Sequence, residues 1–341
     1  MAGITRRRAP APERSALPED AASSDQEFLG ALERLRREIR AHCYRMTGSM
    51  DEAEDLVQEA FLRAWRGRHT FERRSSLRTW VYRIATNTCL THLSQLHRRP
   101  LPIGLGASPS NPREEPRRAP EVTWLEPMPD RMLWAEPPAD PGEAAVSRDS
   151  VRLAFIAALQ HLTAGQRAAL LLRDVLGWRA TEVADTLGTT VAAVNSSLQR
   201  ARARLATMEP TGHEPLDNAR HEQLLTAYLE AFEKYDVDGI VSLLANDVTW
   251  EMPPFADWYR GAREVGALIS TWCPARRGGD MRLRVARGNG QVVIGVYMRG
   301  EDEVHRPFQL QHLTTRDGAV SRVTAWFAPQ WFTAFGLPPV A

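Results

Sequence analysis

Between residues 51 and 65 apolar side chains recur three and four positions apart. Ala53, Leu56, Val57, Ala60, Phe61, Ala64 and Trp65 therefore share one side of a predicted helix, and that side must be buried. The other side carries Asp51, Glu52, Asp55, Gln58 and Glu59, with Asp51 and Glu52 in the first turn, where the helix dipole favours negative charge. After a polar loop, Leu77, Val81, Ile84 and Ala85 mark a second amphipathic helix over residues 75–87, whose polar side mixes arginines, aromatics and an amide. Upstream, Phe28, Leu29, Leu32, Leu35 and Ile39 predict a helix that begins near Asp25, an acceptable N-cap, and breaks at Gly48 and Ser49. These three helices predict a small all-α domain over residues 25–98. Residues 1–24, rich in Ala, Pro, Arg and Ser, lack periodicity and read as a disordered tail.

From Pro100 to Pro141 prolines arrive every few residues, which excludes regular helix or sheet and predicts a semi-extended linker over residues 99–146. One apolar island, Trp124, Leu125 and Met128 with Trp134 beyond it, implies that the linker packs on something, in the plainest case its own neighbouring domains. Helix resumes at Ser147 with Val151, Phe155, Ile156, Leu159 and Leu162 inward, followed by a helix over residues 164–176. Then comes a helix-turn-helix pattern that completes a domain of residues 147–208. Val183, Ala184 and Leu187 bury its first helix, Gly188 supplies the turn, and Thr190 can cap the second helix. Val191, Val194, Leu198, Ala201 and Leu205 bury that second helix, leaving Asn195, Ser196, Gln199, Arg200 and Arg202 outward. Small and amide side chains at such a place can enter a major groove, with arginines at phosphates.

A third domain spans residues 219–341. Two helices (221–232 and 237–244), a strand at 248–251, a Met-Pro-Pro loop and a helix at 262–272 precede four strands, 281–286, 292–298, 308–315 and 320–327. Asn289-Gly290 and Asp317-Gly318 read as hairpin turns. Helices followed by a curved antiparallel sheet predict an α+β cone.

The acidic helix followed by the Arg/aromatic helix, D-E-A-E-D-x-x-Q-E-A-F-x-x-A-W then S-S-L-R-T-W-x-Y-R-I-A-x-N, resembles region 2 of extracytoplasmic-function sigma factors, bacterial initiation factors of the sigma-70 family. The helix-turn-helix resembles their region 4, the −35 reader. The resemblance implies that Asp55, Gln58 and Glu59 meet core RNA polymerase, and that Arg78, Trp80, Tyr82, Arg83 and Asn87 meet a melted −10 element by stacking and backbone contact. Thr190, Asn195, Ser196, Gln199, Arg200 and Arg202 would then meet duplex promoter DNA at −35. It also implies a linker that threads the RNA-exit path of polymerase. In the third domain the order of elements, Tyr235-Asp236-Val237-Asp238-Gly239 and Phe335-Gly336-Leu337-Pro338 resemble the SnoaL-like branch of the nuclear-transport-factor-2-like superfamily, a domain that some of these sigma factors carry.

Net charge is only +1, but it is divided: +5 over residues 1–100, −4 over 101–146, +4 over 147–208 and −4 over 209–341. Two basic blocks alternate with two acidic ones, as expected if the first and third meet phosphate. Every basic residue but Lys234 is arginine, which codon bias explains as well as phosphate recognition does. Cys43, Cys89 and Cys273 are scattered and lack metal-ligand spacing, so they read as buried thiols in a reducing compartment, with no metal and no cofactor expected. No apolar run approaches the ~20 residues of a membrane span, and Arg6 to Arg8 precede no hydrophobic segment. A cytoplasmic protein is the expectation.

Relatives of the cone fold include isomerases and cyclases, and Asp247, Glu251, Asp257, His305 and His312 are the residues that could serve such chemistry. No pair among them has a spacing that demands catalysis. Trp250, Trp258, Tyr259, Trp272, Trp326 and Trp331 suit a core or a small-ligand pocket equally. The preferred reading is therefore not an enzyme but a sigma factor whose cone sets the spacing of the two DNA-reading domains. Two alternatives stand beside it: a helix-turn-helix regulator with a ligand-binding domain, and a cone-fold isomerase or cyclase fused to a DNA-binding module.

Overall fold

A computed structural model describes residues 19–71, 75–94, 99–134, 150–206 and 218–341. The chain divides into two compact units, Met1–Arg36 and Arg37–Ala341. The first contributes the start of helix α1 (Glu19–Thr47), on which Arg36 pairs with Glu33 at 2.7 Å. Residues 19–24, expected in the tail, are helical, so Asp25 lies inside α1 and is not its cap. Residues 1–18 of the tail, and the helix start expected at Ser147, lie outside the described residues.

In the second unit, α2 (Met50–Gly67) and α3 (Leu77–Leu93) form as the periodicity predicts. Ser49 Oγ accepts the Glu52 N–H and Ser76 Oγ the Thr79 N–H, each satisfying a donor that the first turn leaves open. The buried stripe of α2 is Met50, Ala53, Leu56, Val57, Ala60 and Ala64; Phe61 and Trp65 at its edge are half-buried.

The proline-rich segment is a strap laid over its neighbours. It contains only a short 3-10 turn (Pro102–Leu105) and one helical turn, α4 (Asp130–Leu133). Backbone bonds pin it along the cone: Ser110 N to Trp258 O, Ala119 N to Pro254 O and Ala256 N to Arg117 O, at 2.8–2.9 Å. Three indoles of the cone donate into it, Trp258 to Ala107 O, Trp272 to Pro112 O and Trp326 to Leu125 O. The apolar island is the most deeply set part, with Leu125 and Met128 fully buried. Its Glu126 carboxylate accepts Ser49 Oγ and the Met50 N–H, both at 2.8 Å, placing a negative charge at the start of α2.

Helices α5 (Leu153–Leu159), α6 (Ala164–Leu170), α7 (Ala180–Leu187) and α8 (Val191–Ala206) form the next domain. The single helix expected over 164–176 changes pitch at Leu171 into a π turn, Leu171–Val175. Gly188 closes α7 at φ 61°, a left-handed conformation suited to glycine. Thr190 Oγ1 accepts the Ala193 N–H at 3.2 Å, as a cap should. Val194, Leu198 and Ala201 bury α8, whereas Val191, expected in the stripe, is 38% exposed in the first turn.

In the cone, α9 (Asn218–Glu233), α10 (Val237–Leu243) and α11 (Ala262–Trp272) accompany a six-stranded sheet of order β2-β1-β6-β5-β4-β3. The strands are β1 (Leu244–Glu251), β2 (Trp258–Arg260), β3 (Met281–Gly288), β4 (Gln291–Arg299), β5 (His305–Arg316) and β6 (Ala319–Trp326). Residues 258–260, expected in a loop, pair with β1, opposing Tyr259 to Trp250. All pairs are antiparallel except β1 with β6, because the β3–β6 meander returns beside β1 running in its direction; the sheet is mixed. Asn289-Gly290 and Asp317-Gly318 have positive φ at both residues, the hairpin geometry those dipeptides favour. One face of the sheet packs Tyr228, Phe232, Trp250 and Ile269; the other receives Phe332, Phe335 and Leu337 from the C-terminal segment.

Candidate polymerase and nucleic-acid interfaces

The acidic face of α2 is divided. Asp55 and Gln58 are exposed and make no side-chain bond to a described residue. Glu59 is engaged by Arg63 at 2.7 Å, Glu54 by Arg40 at 2.6 Å, and Glu52 by Arg99 at 2.6 Å. Of the three residues expected at polymerase, Asp55 and Gln58 are thus open and Glu59 is engaged. A surface i,i+4 pair such as Glu59–Arg63 is worth only a few tenths of a kcal/mol, so it can exchange partners readily.

Helix α3 presents Arg78, Arg83 and Asn87 at the surface. Arg78 pairs with Glu38 at 2.7 Å and lies 4.9 Å from the ring centre of Tyr82; Trp80 is half-buried against Phe71, ring centres 5.2 Å apart. Tyr82 itself is 1% exposed. Its ring meets His42 and Trp178 edge-on, and burial pushes its hydroxyl up, with Glu38 at 3.2 Å. Arg83 Nε reaches Thr186 Oγ1 of α7 at 3.4 Å. In this arrangement the helix-turn-helix domain covers part of the α3 face assigned to −10 DNA, and Tyr82 is closed to a base.

On α8, Asn195, Gln199, Arg200 and Arg202 are exposed, Ser196 is half-buried, and Thr190 is exposed while its hydroxyl caps the helix. Arg200 bonds Ser196 and Ser197. Arg202, expected at phosphate, is held by both oxygens of Asp174 at 2.6 and 3.1 Å.

Two buried arginines join the helical domains. Arg45 donates to Ser150 O at 3.1 Å and Ser150 Oγ at 2.7 Å; Arg167 donates to the carbonyls of Met46, Leu159 and Leu162. Burial pulls both down to about 10, which leaves them charged at neutral pH in shells of carbonyl and hydroxyl oxygen. Nothing in residue spacing marks these two among the 43 basic residues of the chain. His42 donates or accepts at Thr86 Oγ1, 2.9 Å away; burial, with Arg45 beside it, holds it neutral with a pKa of about 3.

The junction of all parts is Asn289, fully buried at the β3–β4 turn. Its Oδ1 accepts the Met128 N–H at 2.8 Å, its N–H donates to Met128 O at 2.9 Å, and its Nδ2 donates to Tyr44 Oη at 2.8 Å and Val151 O at 2.7 Å. Tyr44 in turn donates to Glu126 O at 2.8 Å. One side chain thus ties the cone to the strap, to α1 and to the chain entering α5. The dipeptide signals a turn; its second role depends on which surfaces meet there, which periodicity does not encode.

The cone holds a cavity of about 340 Å³. Trp250 and Trp272 line it, whereas Trp258, Tyr259 and Trp326 are buried elsewhere and Trp331 packs by the C-terminal segment. None of the five carboxylates and histidines considered for catalysis lines it. Glu251, fully buried, accepts the Ile103 N–H of the strap at 3.0 Å and faces Arg322 and Thr324; burial raises its pKa against the pull of Arg322. Asp257 accepts Ser110 Oγ, the Arg117 N–H and the Arg117 guanidinium. These outweigh its burial and hold its carboxyl below the usual range. His305 meets Gly279 O at 2.9 Å, Asp247 pairs with Arg316, and the His312 ring lies edge-on to Trp326. Glu251 and Asp257 anchor the strap.

Two helical domains, one a helix-turn-helix, carried with a mixed-sheet cone, are the architecture of a multidomain sigma-70-type factor. Residues 31–99 match the Sigma-70 region 2 family, 152–205 match Sigma-70 region 4, and 225–328 match the SnoaL-like domain. The chain is 51% identical over 315 residues to the ECF RNA polymerase sigma factor SigG of Mycobacterium tuberculosis, covering 92% of this chain and 84% of that protein. It is 29% identical over 320 residues to SigJ of the same organism, covering 89% and 93%. The crystal structure of SigJ superposes with a TM-score of 0.58 at 26% identity, covering 91% of this chain and 99% of that one. The chain belongs to the extracytoplasmic-function sigma factors and carries a C-terminal SnoaL-like domain. Among the described residues no helix is long and apolar enough to cross a membrane, and no group of His, Cys, Asp and Glu could hold a metal ion.

Proposed function

We propose that this sigma factor binds core RNA polymerase in the cytoplasm through Asp55, Gln58 and Glu59, captures the −10 strand with Arg78, Trp80, Tyr82, Arg83 and Asn87, and reads −35 duplex with Thr190, Asn195, Ser196, Gln199, Arg200 and Arg202. The cone and strap act as an internal restraint on that cycle. The observation that carries this reading is the fully buried Asn289, whose amide holds Met128, Tyr44 and Val151 together. While that junction stands, Trp178 remains over Tyr82 and Thr186 of α7 at Arg83, and the two readers are held at one fixed spacing. Promoter engagement therefore requires the junction to open.

The reading is tested by run-off transcription with core polymerase and full-length variants. Asp55→Ala weakens polymerase binding. Trp80→Ala keeps polymerase yet fails to open the promoter, because the half-buried indole supplies a stacking surface worth about 1–3 kcal/mol per base. If both variants transcribe like the parent, the assignment of α2 and α3 is wrong. An enzymatic reading of the cone has less support, because its acidic candidates are engaged by the strap or by arginines and none reaches the cavity.

A further inference from the structure

The cavity has two owners. Most of its wall is cone, with Phe232, Trp250, Trp272, Phe308 and Phe327 supplying aromatic rings. The rest is strap: Glu115, Pro116 and Arg118 complete the lining. The strap is fixed there by a backbone bridge between Arg118 and Phe255, and the Arg118 guanidinium lies 5.3 Å from the centre of the Phe255 ring. Arg118 makes no ion pair with a described residue, and Gln309 is 8% exposed with no side-chain bond to one. An apolar, ring-lined chamber with one guanidinium, one carboxylate and one amide at its wall has the size and chemistry of a small-molecule site.

We propose that this chamber binds a planar, largely aromatic small acid. Its rings lie among the aromatic side chains, where offset and edge contacts favour flat π systems, and its anionic oxygen pairs with Arg118, a bond strengthened by charge on both partners. Glu115, exposed on the same stretch of strap, disfavours a second anionic group there. Because cone and strap each supply part of the wall, the acid binds the docked strap better than the released one and shifts the balance toward docking, by as much as its affinities for the two states differ. That regulatory consequence rests on the restraint proposed above. The site itself does not, since its test contains neither polymerase nor DNA.

The test uses the full-length protein with anilinonaphthalene sulfonate, an aromatic acid that brightens in apolar surroundings, and with neutral phenylnaphthylamine as its uncharged counterpart. The sulfonate is expected to saturate one site per chain. Leu268→Trp, which fills the chamber from α11, is expected to weaken both probes by more than about tenfold, since the new ring takes the volume they need. Arg118→Glu, at an exposed position, is expected to weaken the sulfonate about tenfold, the scale of one charge-assisted bond, and the neutral probe less than about threefold. The bound sulfonate should also slow proteolytic cleavage of the strap between residues 101 and 123. If Arg118→Glu leaves sulfonate affinity unchanged, the strap is no part of the site and the proposal falls, whatever Leu268→Trp does. Binding unaffected by either substitution places the probe elsewhere and overturns it equally. Should Leu268→Trp lose its near-ultraviolet circular dichroism, Arg118→Glu with the two probes still decides.

Discussion

Replacing Asn289 by glycine isolates the junction from the hairpin that carries it. Asn289 sits at φ 55°, a conformation glycine adopts freely, and the backbone bond from its N–H to Met128 O needs no side chain. What disappears is one acceptor for Met128 N–H and two donors, to Tyr44 Oη and Val151 O. Tyr44 retains its bond to Glu126 O, so the groups left unpaired are the Met128 N–H and the Val151 carbonyl. Each buried orphan costs about 1–3 kcal/mol, and glycine adds roughly 0.5–1 kcal/mol of unfolded-chain entropy that acts on global stability alone. The docked arrangement should lose about 2–6 kcal/mol, and the lower part of that range is already roughly two powers of ten in its population relative to the released one. Amide exchange measured on residues 125–130 should accelerate by about 100-fold. Run-off transcription by the variant should rise, because opening no longer opposes promoter capture. Asn289→Asp sets a carboxylate oxygen against the Val151 carbonyl at a fully buried position, so it should release the junction at least as strongly as glycine. Exchange that changes less than about threefold would mean that the junction contributes nothing net, and the restraint would have to be sought elsewhere.

Asp257→Asn tests the strap's other anchor. Because the Asp257 carboxyl titrates below its ordinary value, its contribution is present above about pH 4 and lost as pH falls through the lower folded value. The parent should therefore melt higher than the variant at pH 7 by an amount corresponding to about 1–2 kcal/mol, and the difference should shrink to nothing once pH has fallen below that folded value; a difference that persists in acid would remove the charge from the explanation. Arg167→Met should cost about 3–5 kcal/mol in urea unfolding, since it strips the carbonyls of Met46, Leu159 and Leu162 of their shared donor. Arg167→Lys should recover little of that loss, because an ammonium on a shorter, unforked stem does not span three carbonyls.

Most of the elements were legible because their physics is local. The stripe of α2, the Thr190 cap, the Gly188 turn and the two positive-φ hairpin dipeptides each follow from a few adjacent residues; the Ser49 and Ser76 caps went unread. Strand β2 was not legible, since Trp258, Tyr259 and Arg260 carry too little pattern to signal a strand without the facing Trp250. The direction of β6 relative to β1 was hidden for the same reason: it depends on how many strands intervene before the sheet closes. Composition showed that no long helix or strand could run through the proline-rich segment, whose described part holds only single turns, and its apolar island marked a packed piece. It could not show that Glu251 and Asp257 are held by that segment rather than by a substrate, because the partners are more than a hundred positions away in sequence. Tyr82 is the sharpest case among the site residues. The resemblance groups it with the other residues expected at −10, while its burial beneath Trp178 depends on the placement of a second domain.

The uneven exposure of these faces implies an order of events. Asp55 and Gln58 are open in the docked arrangement, whereas Tyr82 is covered and Arg83 is tied to Thr186. Polymerase can therefore engage the proposed α2 face before anything opens, but a −10 strand cannot reach all of its proposed partners until the helix-turn-helix domain moves. The energy needed to uncover α3 must come from contacts with polymerase that exist only in the released arrangement, because a partner indifferent to the two states shifts nothing. The parent and Asn289→Gly should consequently bind core polymerase with affinities that differ modestly, while their binding to a single-stranded −10 oligonucleotide without polymerase should differ by about the same two powers of ten as their docking equilibria. Measured by fluorescence anisotropy, equal oligonucleotide binding by the two proteins would show that the cover over Tyr82 is not a barrier, and that the −10 face is reached by some route other than release of the junction.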